Sequence, residues 1–142
     1  SVRMTVGQLV NSLGLECGNS AMMLQQIFRG GPVDTDCGFV LHSPVGQWNS
    51  SITVTDKIGL SSSSELVDTL ASGNGPDKFI IALGYAGWAA GQLEHELATN
   101  TWLNCPADPN IIFNTDPEQR WNAAAKLMGV DMGTLSTQVG HA

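Results

Sequence analysis

The sequence predicts an α+β fold, and three patterns carry that prediction. Phe79–Leu83 is a short unbroken apolar run, which is typical of a strand buried on both faces. Ile52–Asp56 begins with apolar and polar residues in alternation, as a half-buried strand does. After Gly91 the apolar residues are Leu93 and Leu97, the i,i+4 spacing of an amphipathic helix. The chain therefore contains the signals of both kinds of element.

Length and charge limit the classes of protein that the chain can belong to. Its 142 residues are expected to form one domain, 1–142, which is large enough to bury a substantial core. Charged residues make up 13% of the chain, about half the usual share of roughly 25%, so ion-pair networks are not its main support. The net charge of −7 disfavours direct binding to nucleic acid, because that affinity rests on Lys and Arg neutralising phosphates.

The cysteines and the absence of long apolar runs bear on location. Cys17, Cys37 and Cys105 have neither metal-ligand nor redox spacing, and an odd, sparse set is typical of a reducing cytosol. The sequence has no signal-peptide pattern and no apolar run of about 18 residues. We therefore expect a cytoplasmic protein, a monomer or weak dimer, with no metal, no cofactor and no membrane contact.

Three further helices have clear start signals. Thr5 to Gln8 is a capping box, and Gly14 is a natural stop for the helix that follows. A serine-rich stretch, Ser62–Glu65, opens a second helix that continues to Leu70. Asp116-Pro117 opens a third, because proline at the first helical position loses no hydrogen bond. Its predicted apolar face consists of Trp121, Ala124, Ala125 and Met128.

Several short apolar stretches are predicted to be strands. Met22–Phe28 and Phe39–His42 are expected to pair antiparallel, with Asp34–Gly38 as a turn cluster between them. Lys57–Ser61 is expected to pair back onto the preceding alternating strand. Ile111–Phe113 is expected to be another brief strand.

The central strand ends in a glycine-rich elbow, Gly84–Gly91, which is the first candidate site. Glycine is needed where backbone passes close to another group. A helix that begins after a strand can offer free N–H groups to an anion, but the spacing is not that of dinucleotide or P-loop motifs. Close packing, with Tyr85 and Trp88 as large core residues, is favoured over phosphate binding.

Acid–base and nucleophilic groups are sparse. Glu94 is expected at the edge of the buried helix face and Glu96 away from it, so Glu94 could cap the loop or act as an acid or base. A nucleophilic pair could in principle come from His42, His95, His141, Cys37 and Cys105. None of these has a neighbour at catalytic spacing, so the sequence favours an inert role for them.

An ordered series of motifs resembles the AlgH/YqgE family of bacterial proteins over essentially the whole chain. The series comprises Arg29–Val33, Gly38–His42, Leu83–Trp88, Gly91–Glu94, Asn100–Leu103, Ala107-Asp108, Ile112-Phe113 and Trp121. The resemblance implies a bent, mainly antiparallel sheet that curls into a partial barrel and is flanked by about four helices. Family members normally carry further N-terminal strands, which residues 1–142 are expected to lack.

The resemblance implies little about activity, and three functions stay open. The first is a non-enzymatic cytoplasmic binding or regulatory module for a protein or a small ligand. Its candidate residues are Gly30, Gly31, Pro32, His42, Gly84, Tyr85, Gly87, Trp88, Gly91, Gln92 and Glu94. The second is a transcriptional regulator, a label that some family members carry. The third is a small-molecule hydrolase that uses Glu94 with His42 or a cysteine at the same elbow.

Overall fold

The structure is a computed structural model that describes residues 4–15, 20–46, 48 and 51–130. It divides into two compact units, Ser1–Gly87 and Trp88–Ala142. The predicted α+β class is confirmed, because both helices and strands are present. That 1–142 forms a single domain stays a prediction. Cys17 and His141, considered above, lie outside the described residues.

The first unit holds all the described strands. Its helices are α1 Val6–Ser12, α2 Ser20–Met23 and α3 Ser63–Ala71. Its strands are β1 Phe28–Arg29, β2 Val33–Ser43, β3 Ile52–Thr53, β4 Gly59–Ser62 and β5 Lys78–Tyr85. The second unit contributes α4 Gln92–Ala98, α5 Pro109–Phe113 and α6 Pro117–Leu127.

The five strands form one sheet in the order β1-β5-β2-β4-β3. Strand β1 runs parallel to β5, and the other neighbours are antiparallel, so the sheet is mainly antiparallel as expected. Across the described residues it is open and does not close into a barrel. Strand β2 lies at its centre and pairs Val40 with Ser61 of β4 and with Ile81 of β5.

The core of the first unit lies between the sheet and two helices. Helix α1 contributes Val6 and Val10, and α3 contributes Leu66, Val67, Leu70 and Ala71. The sheet contributes Val40 and Ile81, which are 0% and 1% exposed. Burial of each of these side chains stabilises the fold by roughly 1.5–3 kcal/mol for residues the size of Val, Leu or Ile.

The predicted capping box of α1 is confirmed. The Thr5 hydroxyl accepts a hydrogen bond from the Gln8 N–H at 3.2 Å, and the Gln8 side chain accepts one from the Thr5 N–H at 2.9 Å. Gly14 follows the helix with φ +73°, a left-handed conformation that glycine adopts without strain. The helices predicted after Ser62, Gly91 and Asp116 are also present.

Two predictions about the first sheet strands are wrong. Met22–Phe28 is not one strand, since Met22 lies in α2, which ends at Met23, and Phe28 begins β1, which pairs with β5 rather than with β2. Asp34–Gly38 is not a turn but part of β2, where the register with β5 shifts between Val33 and Gly38. This bulge gives acidic and small residues a place inside a strand, which their composition does not indicate.

Two further strands differ from expectation. Ile111–Phe113 is helical: the Asp108 carboxylate accepts the Asn110 N–H at 2.8 Å and Pro109 occupies the start of α5. This is the Asp-Pro helix start that was recognised only at Asp116. Ile52–Asp56 shrinks to the two-residue β3, although the predicted pairing with the following strand, β4, is confirmed.

The second unit has little interior among its described residues. Within residues 88–130, Ala125 is the one buried hydrophobic side chain. Trp102 is 50% exposed and Trp121 is 67% exposed. Within the described chain no helix combines the length and the apolar character that crossing a bilayer requires.

A tight backbone crossing lies where β5 ends. Gly30 and Gly31, just after β1, pass against Gly84 and Tyr85 so closely that a Cβ on either would overlap main-chain atoms of the other segment. The Gly30 N–H donates to the Leu83 carbonyl at 2.8 Å. Gly84 has φ +76°, which strongly favours glycine.

Gly31→Ala is expected to destabilise the chain, because its new methyl group meets the main chain of Tyr85 and Ala86. Overpacking of this kind lowers the free energy of unfolding by about 1–3 kcal/mol. Urea denaturation followed by far-UV circular dichroism measures the change.

Gly87→Ala is the matched control, since the nearest atom to its added Cβ is 4.0 Å away. It should stay within about 0.5 kcal/mol of wild type. Equal unfolding midpoints for the two variants would contradict a tight crossing.

Candidate functional site

The glycines at the start of the predicted elbow have a structural explanation. Gly30, Gly31 and Gly84 form the backbone crossing within the first unit, with Tyr85 completing it. Pro32 follows the crossing and is exposed. The close-packing alternative therefore accounts for these glycines without a ligand. Their assignment to a binding surface stays a prediction.

Tyr85 is anchored by its hydroxyl and by its ring. The hydroxyl donates to a carboxylate oxygen of Asp34 at 3.1 Å, and the ring meets Phe39 edge to face at 6.0 Å between centroids. The hydrogen bond to Asp34, together with its negative charge, raises the pKa of Tyr85 above the ordinary value. Tyr85 is thus an exposed neutral phenol and not a core residue as the sequence suggested.

His42 lies in the interior of the first unit at the end of a hydrogen-bonded chain. Its Nδ1 is 2.9 Å from the Pro44 carbonyl, which can only accept, so Nδ1 carries the proton. Its Nε2 is 2.8 Å from the Ser61 hydroxyl, which donates to it when the imidazole is neutral. Ser51 donates to Ser61 at 2.5 Å, and Trp48 covers the ring edge to face at 5.0 Å.

These hydrogen bonds leave neither ring nitrogen of His42 free to act as a base or a nucleophile. The imidazole is 0% exposed and the Ser61 side chain is 2% exposed. A general base must come within hydrogen-bond reach of the proton that it removes, and no exposed edge of His42 offers that. Its geometry is that of a satisfied interior polar group.

The second unit is organised around one carboxylate, Glu96 on helix α4. Its Oε2 accepts the indole N–H of Trp88 at 3.0 Å and that of Trp102 at 2.6 Å. Its Oε1 accepts the Gln92 side-chain amide at 3.1 Å. The two indoles meet edge to face at 6.1 Å between centroids. We refer to Glu96, Trp88, Gln92 and Trp102 as the Glu96 cluster.

Neutral donors contribute most to stabilising the charge of Glu96. The hydrogen bond from Trp102 is the largest cause of its lowered pKa, followed by that from Trp88, and Gln92 and the charge of His95 add to it. Gln92 also connects the cluster to the start of helix α4, since its side-chain carbonyl oxygen accepts a hydrogen bond from the Ala89 N–H at 3.0 Å. The cluster therefore fixes the orientation of the Trp102 ring.

The remaining elbow candidates lie on the surface of the second unit or at the end of the first. Gly91 is the N-cap of α4 with φ +80°, and nothing lies within 4 Å of a Cβ placed on it. Gly87 and Glu94 are exposed, and the Glu94 side chain makes no hydrogen bond to any described residue. Glu96, which the sequence placed away from the buried helix face, is half-buried and accepts the hydrogen bonds described above, while the assignment of Glu94 to a site stays a prediction.

An apolar cavity of about 420 Å³ lies in the second unit, with Trp102 as one of its walls. Indoles, aliphatic side chains, two amides and a thiol form the lining. Its residues are Leu97, Asn100, Trp102, Leu103, Asn104, Cys105, Trp121, Ala124, Ala125, Met128 and Val130. None of these described residues is charged.

Three segments build this cavity, and each has a local reason for its course. Helix α4 ends at Ala98, and Asn100 in the turn that follows has a φ of +60°, which turns the chain so that Trp102 reaches back to Glu96. Residues 102–105 then run without regular structure along one side. Helix α6 supplies the opposite lining through its predicted apolar face, including Trp121 and Ala124.

Sequence reasoning found the helix face but missed the Glu96 cluster and the cavity. The Gln92–Glu96 pair at i,i+4 was readable as a helical contact. The approach of Trp102 was not, because it depends on the left-handed turn at Asn100. Among the described residues, no group of three His, Cys, Asp or Glu side chains is placed to hold a metal ion.

Comparison with known proteins identifies relatives over nearly the whole chain. The family model described as "DUF179: AlgH-like" matches residues 1–133. A UPF0301 protein of Nitrosospira multiformis is 44% identical over 141 residues, covering 99% of this chain and 76% of its own. A UPF0301 protein of Stutzerimonas stutzeri is 55% identical over 116 residues, covering 82% of this chain and 61% of its own.

A solved structure shares the fold. The solution structure of the AlgH protein from Pseudomonas aeruginosa superposes with a TM-score of 0.74 at 42% identity, covering 100% of this chain and 75% of that one. The chain thus spans about three fifths to three quarters of the length of these relatives. Their names state no activity.

Ser61→Ala is expected to lower the free energy of unfolding by about 1–3 kcal/mol, because the buried Nε2 of His42 loses its donor. Ser12→Ala is the control, since the exposed Ser12 hydroxyl donates only to the Leu9 carbonyl within its own helix. Chemical denaturation of both variants measures the difference. Equal free energies of unfolding for the two variants would show that the hydrogen bond between Ser61 and His42 does not contribute to stability.

Acid is expected to break the hydrogen bonds of the Glu96 cluster, because protonation removes the negative charge that makes the carboxylate a strong acceptor. The folded-state pKa of Glu96 lies below its ordinary value of 4.5, so the cluster's contribution is complete above that range and is lost as pH falls through the folded pKa. Tryptophan emission followed from pH 7 downward, in wild type and Glu96→Gln, measures the transition. A midpoint above 4.5, or the same transition in Glu96→Gln, would contradict this assignment.

Proposed function

The chain belongs to the AlgH-like family, and on that premise we propose that it is a non-enzymatic binding module whose small-ligand site is the cavity of residues 88–130. One observation carries the proposal: an apolar cavity of about 420 Å³ lined by two indoles. Sites for small molecules are mostly apolar, with a few polar groups, and measure about 300–1,000 Å³. This cavity has both properties.

The exposure of the lining side chains supports a ligand there. Trp102, Leu103 and Trp121 are each at least half exposed in the described chain. Burial of apolar area contributes about 25 cal/mol per Å², so a ligand that covers these side chains gains free energy from each of them. The amides of Asn100 and Asn104 supply the few polar contacts that fix orientation.

The residues predicted from the elbow have a supporting role in this proposal. Trp88 and Gln92 hold Glu96, and Glu96 holds the indole of Trp102 at 2.6 Å. A wall whose orientation is fixed before binding loses less conformational entropy when the ligand arrives. The predicted segment from Gly84 to Glu94 thus acts on the site through its second half.

The other two functions have less support. Hydrolysis by His42 requires a free ring nitrogen, and both of its nitrogens are bonded in the interior. Direct contact with DNA requires a basic surface, and the chain carries 13 acidic against 6 basic residues. The proposal keeps one regulatory role, in which the cytoplasmic module acts on another molecule when a ligand is bound in its cavity.

The uncharged fluorescent probe N-phenyl-1-naphthylamine tests the site. We expect saturable binding that protects Cys105, in the cavity wall, from N-ethylmaleimide and leaves the exposed Cys37 of the first unit reactive. Ala124→Phe, which fills the cavity, should weaken binding at least about tenfold, equivalent to about 1.4 kcal/mol. Titration of emission and peptide-level mass spectrometry measure the two effects.

Asn122→Phe provides the matched control, because it adds the same ring to the same helix at an exposed position outside the lining. It should bind the probe as wild type does. The proposal fails if the probe does not saturate, if both cysteines react alike in its presence, or if the two phenylalanine variants behave alike.

A further inference from the structure

The Glu96 cluster changes the electronic character of one cavity wall. The Trp102 indole N–H donates to the Glu96 carboxylate at 2.6 Å, the length of a strong charge-assisted hydrogen bond. Such a bond polarises the donor, so electron density moves from the N–H into the indole ring. The face of Trp102 is therefore more electron-rich than that of a free indole.

Two indoles in one lining suit a positive charge. Tryptophan is the aromatic side chain that attracts cations most strongly through its negative face, and both Trp102 and Trp121 line the cavity. The attraction is worth about 0.5–1 kcal/mol at exposed sites and about 2 kcal/mol or more in desolvated ones. A neutral molecule of the same shape gains the apolar contact but not this term.

The charge around the cavity has the matching sign. No described lining residue is charged, so nothing in the wall repels a cation. Arg120 and Lys126 lie on α6 outside the lining, and the Arg120 Nε donates to the Thr115 carbonyl at 3.1 Å. Against these two basic residues, the described part of the second unit has five carboxylates: Glu94, Glu96, Asp108, Asp116 and Glu118.

The lining also indicates which kind of cation fits. A primary ammonium brings three N–H donors that must replace their water, and against these the described lining offers two side-chain amide oxygens and no carboxylate. A quaternary ammonium has no N–H donors and presents an apolar surface that carries a charge. The cavity therefore suits the second kind.

We infer that the cavity of residues 88–130 selects a quaternary ammonium joined to an apolar group over its neutral isostere, with Trp102 and Trp121 as the recognising faces and Glu96 as the positioning residue. This inference rests on the proposed function and adds the chemical class of the ligand. Neither the family nor its named relatives state such a ligand.

Three probes of one shape test the charge directly in the unmodified chain. Phenyltrimethylammonium is positive, tert-butylbenzene is its neutral carbon isostere, and benzenesulfonate is negative. We expect the cation to bind about tenfold more tightly than the neutral isostere and the anion to bind most weakly. Quenching of tryptophan emission and protection of Cys105 measure the three affinities.

Glu96→Gln separates the charge from the shape. It keeps an acceptor for an indole N–H but removes the negative charge, so the ratio of the affinities for the cation and the neutral isostere should fall from about tenfold to below about threefold, whatever the loss that both probes share. Asp116→Asn, an equal charge change on a residue outside the lining, should leave the preference intact. Equal loss in both variants would assign the preference to net charge and overturn the role of Glu96.

The outcomes distinguish this inference from the proposal beneath it. If the neutral isostere binds as tightly as the cation, selection by charge is wrong and the cavity remains an apolar ligand site. If none of the three probes binds and N-phenyl-1-naphthylamine does not bind either, both are wrong. Because the comparison of the three probes uses wild type, it holds even if Glu96→Gln loosens the helix.

Discussion

A single carboxylate, Glu96, positions two indoles of the described second unit. It accepts two indole N–H groups and one amide on its two oxygens. An indole N–H that is partly removed from water needs an acceptor, and a carboxylate is the strongest that a protein offers. The positions of Trp88 and Trp102 follow from that requirement, and one wall of the cavity follows from the position of Trp102.

The two units are stabilised by different means. Residues 1–87 have a conventional interior, in which α1 and α3 bury aliphatic side chains against the sheet. Even its polar interior group, His42, is satisfied at both nitrogens. The described part of the second unit buries one hydrophobic side chain, Ala125, and holds two indoles at its surface through hydrogen bonds to Glu96. Polar groups that hold apolar ones at the surface are typical of a site that is ready for a ligand.

The elements that could be predicted are those whose signals are local. The Thr5–Gln8 capping box, the Asp116-Pro117 helix start and the apolar run of β5 each depend on a few neighbouring residues, and each is present. The bulge in β2 was missed because it depends on how Val33 and Gly38 pair with β5. Helix α5 was not predicted, although Asp108-Pro109 is a helix start signal, because the short apolar run Ile111–Phe113 is also typical of a strand.

The candidate site was less predictable than the fold, and the reason is physical. Glycines signal close approach but not what approaches, and at Gly31 and Gly84 it is the chain's own backbone. Glu96 meets Trp88, eight positions before it, and Trp102, six positions after it, and the contact with Trp102 follows a left-handed turn at Asn100. The sequence around Asn100 does not predict where that turn directs Trp102. It therefore could not show which of Glu94 and Glu96 meets the indole.

The half-exposed indoles also bear on how copies of this chain behave when they are crowded together. The net charge of −7 makes copies of this chain repel one another, but salt screens that repulsion beyond roughly 8 Å at 0.15 M ionic strength. Uncovered aromatic faces on Trp102 and Trp121 are then adhesive toward any similar surface. A ligand in the cavity would cover these indoles and so raise the solubility of the protein. The tendency of the chain to self-associate would then depend on whether the cavity is occupied.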